Sequence, residues 1–112
     1  MLRNFGRNTR MTDSSWNKPE LIDYDSHRSE EGWRHMLDED GHVWFYLRGR
    51  YYFVFPESMP YRFGMCYGED EVTGNFPRWK FKDADELLAS PLFDGRSIKD
   101  LLPEIKGWEP DC

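Results

Sequence analysis

The sequence predicts an α+β domain in which a short N-terminal helix precedes a three- to four-stranded antiparallel meander, with two short C-terminal helices packed on the sheet. Residues 42–55 read HVWFYLRGRYYFVF, two runs rich in aromatic and β-branched residues around one glycine, and this pattern is typical of a β-hairpin. Apolar residues at helix spacing precede the hairpin, and helix-capping pairs follow it. Short connections of this kind favour helices gathered on one face of the sheet.

The N-terminal helix is predicted from Ser29, whose hydroxyl can cap a first turn that carries two glutamates. Trp33, Met36 and Leu37 follow at the i, i+3, i+4 spacing of one apolar helix face. The acidic turn at residues 38–41 then ends the helix and leads into the hairpin.

The domain organisation follows from where this periodic pattern begins. Residues 1–27 are rich in Asn, Ser, Thr, Asp and Arg and carry only scattered apolar residues. We therefore expect a mobile N-terminal arm at residues 1–27, one α+β domain at residues 28–108, and a frayed tail at residues 109–112.

The hairpin has two apolar faces. A two-residue turn that includes Gly49 places alternate side chains on opposite faces. The first face carries Trp44, Tyr46, Tyr51, Phe53 and Phe55. The second face carries Val43, Phe45, Leu47, Tyr52 and Val54. Since both faces are apolar, each must be covered either by this chain or by a partner.

Two further strands are predicted after the hairpin. Residues 61–68 alternate large apolar side chains with small residues, which let a neighbouring element approach one face closely. Residues 76–82 favour an edge strand, with Trp79 and Phe81 on one side and three cations on the other.

The C-terminal helices are predicted from their caps. Asp83 and Glu86 have the spacing of a capping box, and Pro91 ends the helix that they begin. Ser97 begins a second short helix that ends before Pro103.

The charge balance favours a basic partner. The 112 residues include 15 basic and 21 acidic side chains, a net charge of −6. The first ten residues hold three arginines and no acid, so the remaining 102 residues carry 12 basic and 21 acidic side chains, a net charge of −9. Such a chain repels nucleic-acid phosphates and attracts basic surfaces. We therefore expect no direct nucleic-acid binding.

Cysteine usage and hydropathy predict the compartment. Cys66 and Cys112 form no CxxC motif, which excludes zinc ribbons and thioredoxin-like motifs and favours two reduced thiols. No apolar run approaches the roughly 18 residues of a membrane span, and the N-terminus lacks the apolar core of a secretory signal. We expect a cytoplasmic protein without membrane contact.

The segment at residues 81–105, FKDADELLASPLFDGRSIKDLLPEI, resembles the C-terminal part of short acidic proteins of unknown function from Gram-positive bacteria and their mobile elements. In those proteins, too, this part follows a meander rich in Tyr and Phe. The matching positions are Phe81, Glu86, Leu87, Leu88, Phe93, Asp94, Gly95, Ser97 and Ile98, with Arg96 in place of the usual lysine. The resemblance implies a shared fold and a bacterial setting, and it implies no activity.

Motifs for catalysis or metal binding are absent from the sequence. There is no phosphate-binding glycine loop and no hydrolase or kinase signature. His27, His35 and His42 lack the cysteine partners of a typical zinc site, and the turn at residues 38–41 lacks the rest of a calcium-binding loop. Residues 48–55 partly match the aromatic strand of an RNA recognition motif, but the acidic charge disfavours RNA. We expect no metal and no cofactor.

These exclusions favour a non-enzymatic protein-interaction module, because interfaces are enriched in Trp and Tyr and this chain has 5 Trp and 6 Tyr. A more specific hypothesis is an inhibitor or immunity-type protein that binds a basic, nucleic-acid-handling partner, with the acidic stretches 30–31, 38–40 and 69–71 in place of phosphates. The candidate partner-binding residues are Trp44, Tyr46, Tyr51, Phe53, Glu69, Asp70, Glu71 and Trp79.

Two alternatives stay open at this point. A homodimer that packs sheet against sheet would cover the same aromatic residues. A small enzyme or ligand-binding domain would instead have a pocket between sheet and helices, where polar groups converge on an apolar cleft.

Overall fold

The computed structural model describes residues 18–70, 74 and 77–109. The strands are β1 (Val43–Leu47), β2 (Arg50–Pro56), β3 (Phe63–Tyr67), β4 (Trp79–Phe81) and β5 (Lys106–Gly107). The α-helices are α1 (Glu30–Glu39) and α2 (Ala84–Ala89), and 3₁₀ helices span Asp25–Arg28 and Lys99–Glu104. Residues 1–17 of the predicted arm, Glu71 of the predicted site and residues 110–112 of the predicted tail lie outside the described residues.

The described strands form one antiparallel sheet in the order β4-β3-β2-β1-β5. The predicted α+β class and the meander from β1 to β4 are therefore confirmed. No helix in the described ranges is long and apolar enough to cross a membrane.

The hairpin turns at Arg48 and Gly49, because Leu47 pairs with Arg50 across β1 and β2. Both turn residues have positive φ, 52° and 86°, as a type I′ turn requires. Within the register that this turn fixes, Trp44 pairs with Phe53, and Phe45 pairs with Tyr52. The predicted division of the hairpin into two faces is confirmed.

The core lies on one side of the sheet, which we call the inner face; the opposite side is the outer face. Phe45 on the inner face is fully buried, and its ring lies 5.0 Å from the Trp33 ring of α1 at 76°, in an edge-to-face contact. The buried core comprises Trp33, Leu37, Val43, Phe45, Leu47, Tyr52, Val54, Phe63, Met65, Phe81, Leu87, Leu88, Phe93, Ile98, Leu101 and Ile105. The helices thus cover the inner face.

The helix caps predicted for α1 and α2 are both present, whereas the C-terminal 3₁₀ helix has Ile98 as its N-cap residue, without a side-chain cap. The Ser29 side chain accepts a hydrogen bond from the backbone N–H of Gly32 at 3.0 Å, at the start of α1. The Asp83 side chain accepts one from the backbone N–H of Glu86 at 2.8 Å, and the Glu86 carboxylate accepts one from the backbone N–H of Lys82 at 2.6 Å. This reciprocal pair satisfies backbone N–H groups that a helix start leaves without partners.

Three features differ in detail from the prediction. The sheet has a fifth strand, β5, whose two residues are too few to show any alternation. The second C-terminal helix is a 3₁₀ helix, because Leu101 has non-helical angles and Pro103 lies inside it. A 3₁₀ helix at Asp25–Arg28 also precedes α1, where the sequence shows no apolar periodicity.

The described end of the N-terminal arm contacts the sheet. Ile22 exchanges backbone hydrogen bonds with Gly107 of β5 at 2.7 and 2.8 Å. The Tyr51 hydroxyl donates a hydrogen bond to the carbonyl of Pro19 at 2.8 Å, and His27 is buried. Residues 18–27 therefore line one edge of the sheet.

Candidate functional site

Four of the predicted partner-binding residues lie together on the outer face, where β1 and β2 pair. Trp44 stacks on Phe53, with ring centroids 5.2 Å apart at 8°, and Tyr46 meets Tyr51 edge to face at 5.0 Å. All four side chains are half-buried, in contrast to the inner face of the same strands. We call Trp44, Tyr46, Tyr51 and Phe53, together with His42, the outer aromatic face.

His42 extends this face toward α1. Its ring lies nearly parallel to the rings of Trp44 and Phe53, at 5.9 and 6.0 Å. Its Nδ1 lies 3.1 Å from the carbonyl oxygen of Asp40 and 3.7 Å from the Asp40 carboxylate. His42 thereby connects the aromatic rings to the acidic end of α1.

The predicted acidic loop at residues 69–71 has a structural role in its described part. Asp70 is 1% exposed, and its carboxylate accepts hydrogen bonds from Arg78 at 2.5 and 3.1 Å and from the backbone N–H of Tyr67 at 3.0 Å. Glu69 forms an ion pair with Arg50 at 3.0 Å. Both carboxylates are already engaged inside the domain.

Trp79 lies on the opposite side of the sheet from Trp44. It pairs with Met65 across β3 and β4, and its ring packs against Tyr67 at 5.5 Å and Tyr52 at 6.4 Å. The structure therefore separates Trp79 from the other predicted aromatic residues and places it at the rim of the core.

The acidic stretch at residues 38–40 has two carboxylates without a lysine, arginine or histidine partner among the described residues, against one, Glu31, in stretch 30–31 and none in the described part of stretch 69–71. Glu30 is paired with Arg34 and Lys99, whereas Asp38 and Glu39 have no lysine or arginine within ion-pair distance in the described part of the chain. They lie at the C-terminal end of α1, where the helix dipole adds negative potential.

This acidic end borders an open cleft of about 310 Å³ that also includes Met59. Met59 is 85% exposed, the largest exposure among the described large apolar side chains. Negative charge and an accessible apolar side chain thus lie side by side at this end of the sheet.

A larger cleft lies at the edge of the sheet, beside β1. Its volume is about 490 Å³, within the usual range for small-ligand sites. Its walls come from the N-terminal 3₁₀ helix, α1, β1 and the residues after β5. The lining residues are Tyr24, Ser26, His27, Met36, His42, Val43, Trp44, Trp108 and Glu109. We call this the edge cleft.

His27 is the most deeply buried titratable side chain of the edge cleft, at 6% exposure. Its Nε2 lies 3.1 Å from the carbonyl oxygen of Trp44, which can only accept, so Nε2 carries the hydrogen. In the neutral ring, Nδ1 is therefore an acceptor, and it has no hydrogen-bond partner in the described part of the chain. Burial lowers the pKa of His27, opposed by the Trp44 hydrogen bond and assisted by the charge of Arg28. The ring is thus neutral at pH 7.

Trp44 contributes a second buried polar atom to the edge cleft. Its indole Nε1–H is buried and has no hydrogen-bond partner among the residues that the structure describes. The other indole of the cleft differs, because Trp108 donates its Nε1–H to the carbonyl oxygen of Phe45 at 3.0 Å. A buried donor without a partner costs about 1–3 kcal/mol, so the unpaired Trp44 donor is a notable feature of this cleft.

Tyr24 and Glu109 lie together in the lining of the edge cleft. The Tyr24 hydroxyl donates a hydrogen bond to the Glu109 carboxylate at 2.6 Å. This hydrogen bond, together with desolvation and the negative charge of Glu109, raises the pKa of Tyr24. The Tyr24 ring in turn stacks on His27 with centroids 5.1 Å apart.

Of the residues that line the edge cleft, sequence reasoning predicted only Trp44 as a binding residue. Tyr24 and His27 fall in the predicted arm, and Glu109 falls in the predicted tail. They meet because Ile22 pairs with Gly107, a contact between residues 85 positions apart that no local pattern reveals. The one available signal was the clustering of aromatic residues at 42–55, which includes Trp44.

The described residues contain no group of three or more His, Cys, Asp or Glu side chains that could hold a metal ion. The chain matches no protein-family model, no curated protein and no solved structure. The resemblance of residues 81–105 to short acidic bacterial proteins stays a prediction.

Proposed function

We propose that this chain is a non-enzymatic binding module for a basic protein partner, with the outer aromatic face and the acidic end of α1 as its contact surface. The observation that carries the proposal is the unequal burial of the two sheet faces. Trp44, Tyr46 and Phe53 stay half-exposed, while their neighbours along the same strands are buried. Partly exposed Trp and Tyr side chains are the residues that most often dominate binding energy at protein interfaces.

Electrostatics favours a basic partner at this surface. Asp38 and Glu39 form no ion pair with a lysine or arginine among the described residues, and Asp40, which follows them, lies 3.7 Å from the His42 ring that stacks on Trp44 and Phe53. Opposite charge on a partner would speed association and orient it. A nucleic-acid-handling protein belongs to this class, because its basic surface normally binds phosphates, and an inhibitor role would follow from occupying that surface.

The test is affinity purification of the tagged chain from its source cells, with light scattering on the pure protein. The decisive variant is Glu39→Lys, which reverses charge at the contact surface. Because a cation suits a helix C-terminus, this variant should fold at least as well as the original chain. Glu20→Lys, an equal charge reversal at another exposed site, is the control.

We expect one stoichiometric basic partner with the original chain and with Glu20→Lys, and its loss with Glu39→Lys. Added nucleic acid should also displace the partner if the same basic surface binds both. Retention of the partner by Glu39→Lys would contradict the proposed surface. A pure chain with the mass of a dimer would instead favour sheet-to-sheet self-association.

A second candidate function is the binding of a small ligand in the edge cleft. It is favoured by one specific observation: within residues 18–70, 74 and 77–109, His27 and Trp44 each have a buried polar atom without a hydrogen-bond partner, and both line a cleft of about 490 Å³.

A further inference from the structure

We propose that the edge cleft binds an organic cation that carries an N–H group, a protonated amine or a guanidinium, between its aromatic walls and against His27 Nδ1. The inference rests on the second candidate function and specifies its ligand.

The charge of the cleft lining favours a cation over an anion. Glu109 is a carboxylate, and none of the described lining residues is a lysine or an arginine. An anionic ligand would lose its hydration without gaining a counter-charge, which is costly. A cation would instead gain the attraction of Glu109, whose Tyr24 hydrogen bond holds it in position.

The aromatic rings of the edge cleft are the second feature that favours binding of a cation. The rings of Trp44 and Trp108 meet at 70° with centroids 6.5 Å apart; Trp108 is 1% exposed, so Trp44 is the indole that stays partly exposed in the cleft. Tyr24 adds a third ring to the lining. Cations bind over the electron-rich faces of such rings, most strongly over Trp, and groups of aromatic rings recognise alkylammonium ligands by this interaction.

The hydrogen-bonding atoms narrow the ligand class further. Nδ1 of His27 is an acceptor, since Nε2 is committed to the Trp44 carbonyl, and an N–H of the ligand would give it a donor. Nε1 of Trp44 is a donor, so an oxygen atom of the ligand, close to its cationic group, could accept a hydrogen bond from it. A peptide that contains Arg or Lys and a free amine with a nearby oxygen share this chemistry.

The experiment titrates the complete chain with two N–H cations, butylammonium and butylguanidinium. Butyramide is the neutral probe of similar size, and tetramethylammonium is a cation without an N–H group. The readout is the indole ¹H–¹⁵N NMR signals of Trp44 and Trp108. The Trp79 indole, on the other side of the sheet, is the internal control.

We expect the two N–H cations to shift the Trp44 and Trp108 signals and to bind roughly threefold to thirtyfold more tightly than butyramide, the range expected for cation–π attraction. Tetramethylammonium should bind more weakly than butylammonium, because it cannot donate to His27. Equal binding of butyramide and butylammonium, or no shift with any probe, would overturn the proposal. If tetramethylammonium binds as tightly as butylammonium, the proposed hydrogen bond from the ligand to His27 Nδ1 is wrong.

Glu109→Gln is the decisive variant, since it removes the charge and keeps a side chain of similar size. It should weaken the binding of butylammonium several-fold and leave the binding of butyramide unchanged. Glu104→Gln, at an exposed carboxylate in the C-terminal 3₁₀ helix, is the control and should change neither. Equal cation binding by both variants would contradict the charge argument.

A short peptide with a central arginine identifies the source of the cation. Binding much tighter than that of butylguanidinium indicates a side chain of a protein partner, and equal binding indicates a free small molecule. These titrations need no partner protein. The cleft proposal can therefore fail while the Glu39→Lys experiment succeeds, and the reverse also holds.

Discussion

The two faces of the β1–β2 hairpin have nearly the same apolar character, but the fold treats them differently. Phe45 and Val54 on the inner face are fully buried, whereas Trp44 and Phe53, their neighbours in the chain, are half-exposed. The difference arises because both α-helices pack on one side of the sheet. Apolar character alone thus shows that a strand face needs covering and does not show what covers it.

Adjacent tyrosines of β2 show the same contrast. Burial on the inner face raises the pKa of Tyr52 to about 12, with a further contribution from the charge of Tyr67. Burial also raises the pKa of Tyr51 on the outer face. Tyr51 keeps more solvent contact than Tyr52, and its hydroxyl donates a hydrogen bond to the Pro19 carbonyl. The inner face is therefore a low-dielectric core, and the outer face is a partly solvated surface.

The most direct test of this comparison is a pair of matched truncations, Phe45→Ala and Phe53→Ala. Phe45→Ala should lower the free energy of unfolding by about 3–5 kcal/mol, because it leaves a cavity in the core. Phe53→Ala removes the same atoms from a half-exposed site and should cost about 1 kcal/mol. Urea denaturation followed by Trp fluorescence measures both. Equal losses would show that the outer face is as well packed as the core.

The acidic groups of the two regions can be compared in the same way. Asp70→Asn should lower the free energy of unfolding by about 2 kcal/mol, because the buried carboxylate loses its charge-assisted bonds to Arg78 and to the Tyr67 backbone. Glu69→Gln, at the exposed pair with Arg50, should cost less than about 1 kcal/mol. Thermal denaturation distinguishes these outcomes. A neutral Asp70→Asn would leave this loop available for partner contact.

A pH titration tests the buried state of His27. Because its pKa is lower in the folded chain than its ordinary value of 6.5, the unfolded chain binds the proton more readily. Its contribution to stability is therefore complete above pH 6.5 and decreases as the pH falls from there toward the lowered folded pKa. In melting temperatures between pH 7.5 and 5.5, His27→Gln should show a shallower decline than the original chain. His35→Gln, on the exposed side of α1, is the control. If the melting temperature falls with pH equally in both variants, His27 is exposed to solvent and the prediction is wrong.

The smallest expected effect lies at the acidic end of α1. Glu39→Lys should raise the free energy of unfolding by about 0.3–1 kcal/mol at low salt, because the new cation interacts favourably with the helix C-terminus and with nearby carboxylates. Denaturation at low and high salt measures this gain, which salt should reduce. A loss of stability would show that Glu39 has a structural partner, and it would weaken the case for an unpaired acidic surface beside the outer aromatic face.

The amino-acid sequence by itself determined the local structure. Ser29 and Asp83 mark the helix starts, Gly49 marks the hairpin turn, and the alternation in residues 43–55 defines the two faces. Each of these signals acts over a few residues, through a cap, a φ angle or a period of two, so it can be read from neighbouring positions.

Only the tertiary structure decided which face is covered and where the clefts lie. The helices could have packed on either apolar face, and the choice depends on contacts among residues far apart in the chain. The pairing of Ile22 with Gly107 brings Tyr24, His27 and Glu109 into one cleft, although the sequence places them at opposite ends. The sequence likewise presents Asp70 as one more acid in an exposed turn, and only the tertiary structure buries its carboxylate and pairs it with Arg78, the residue before β4.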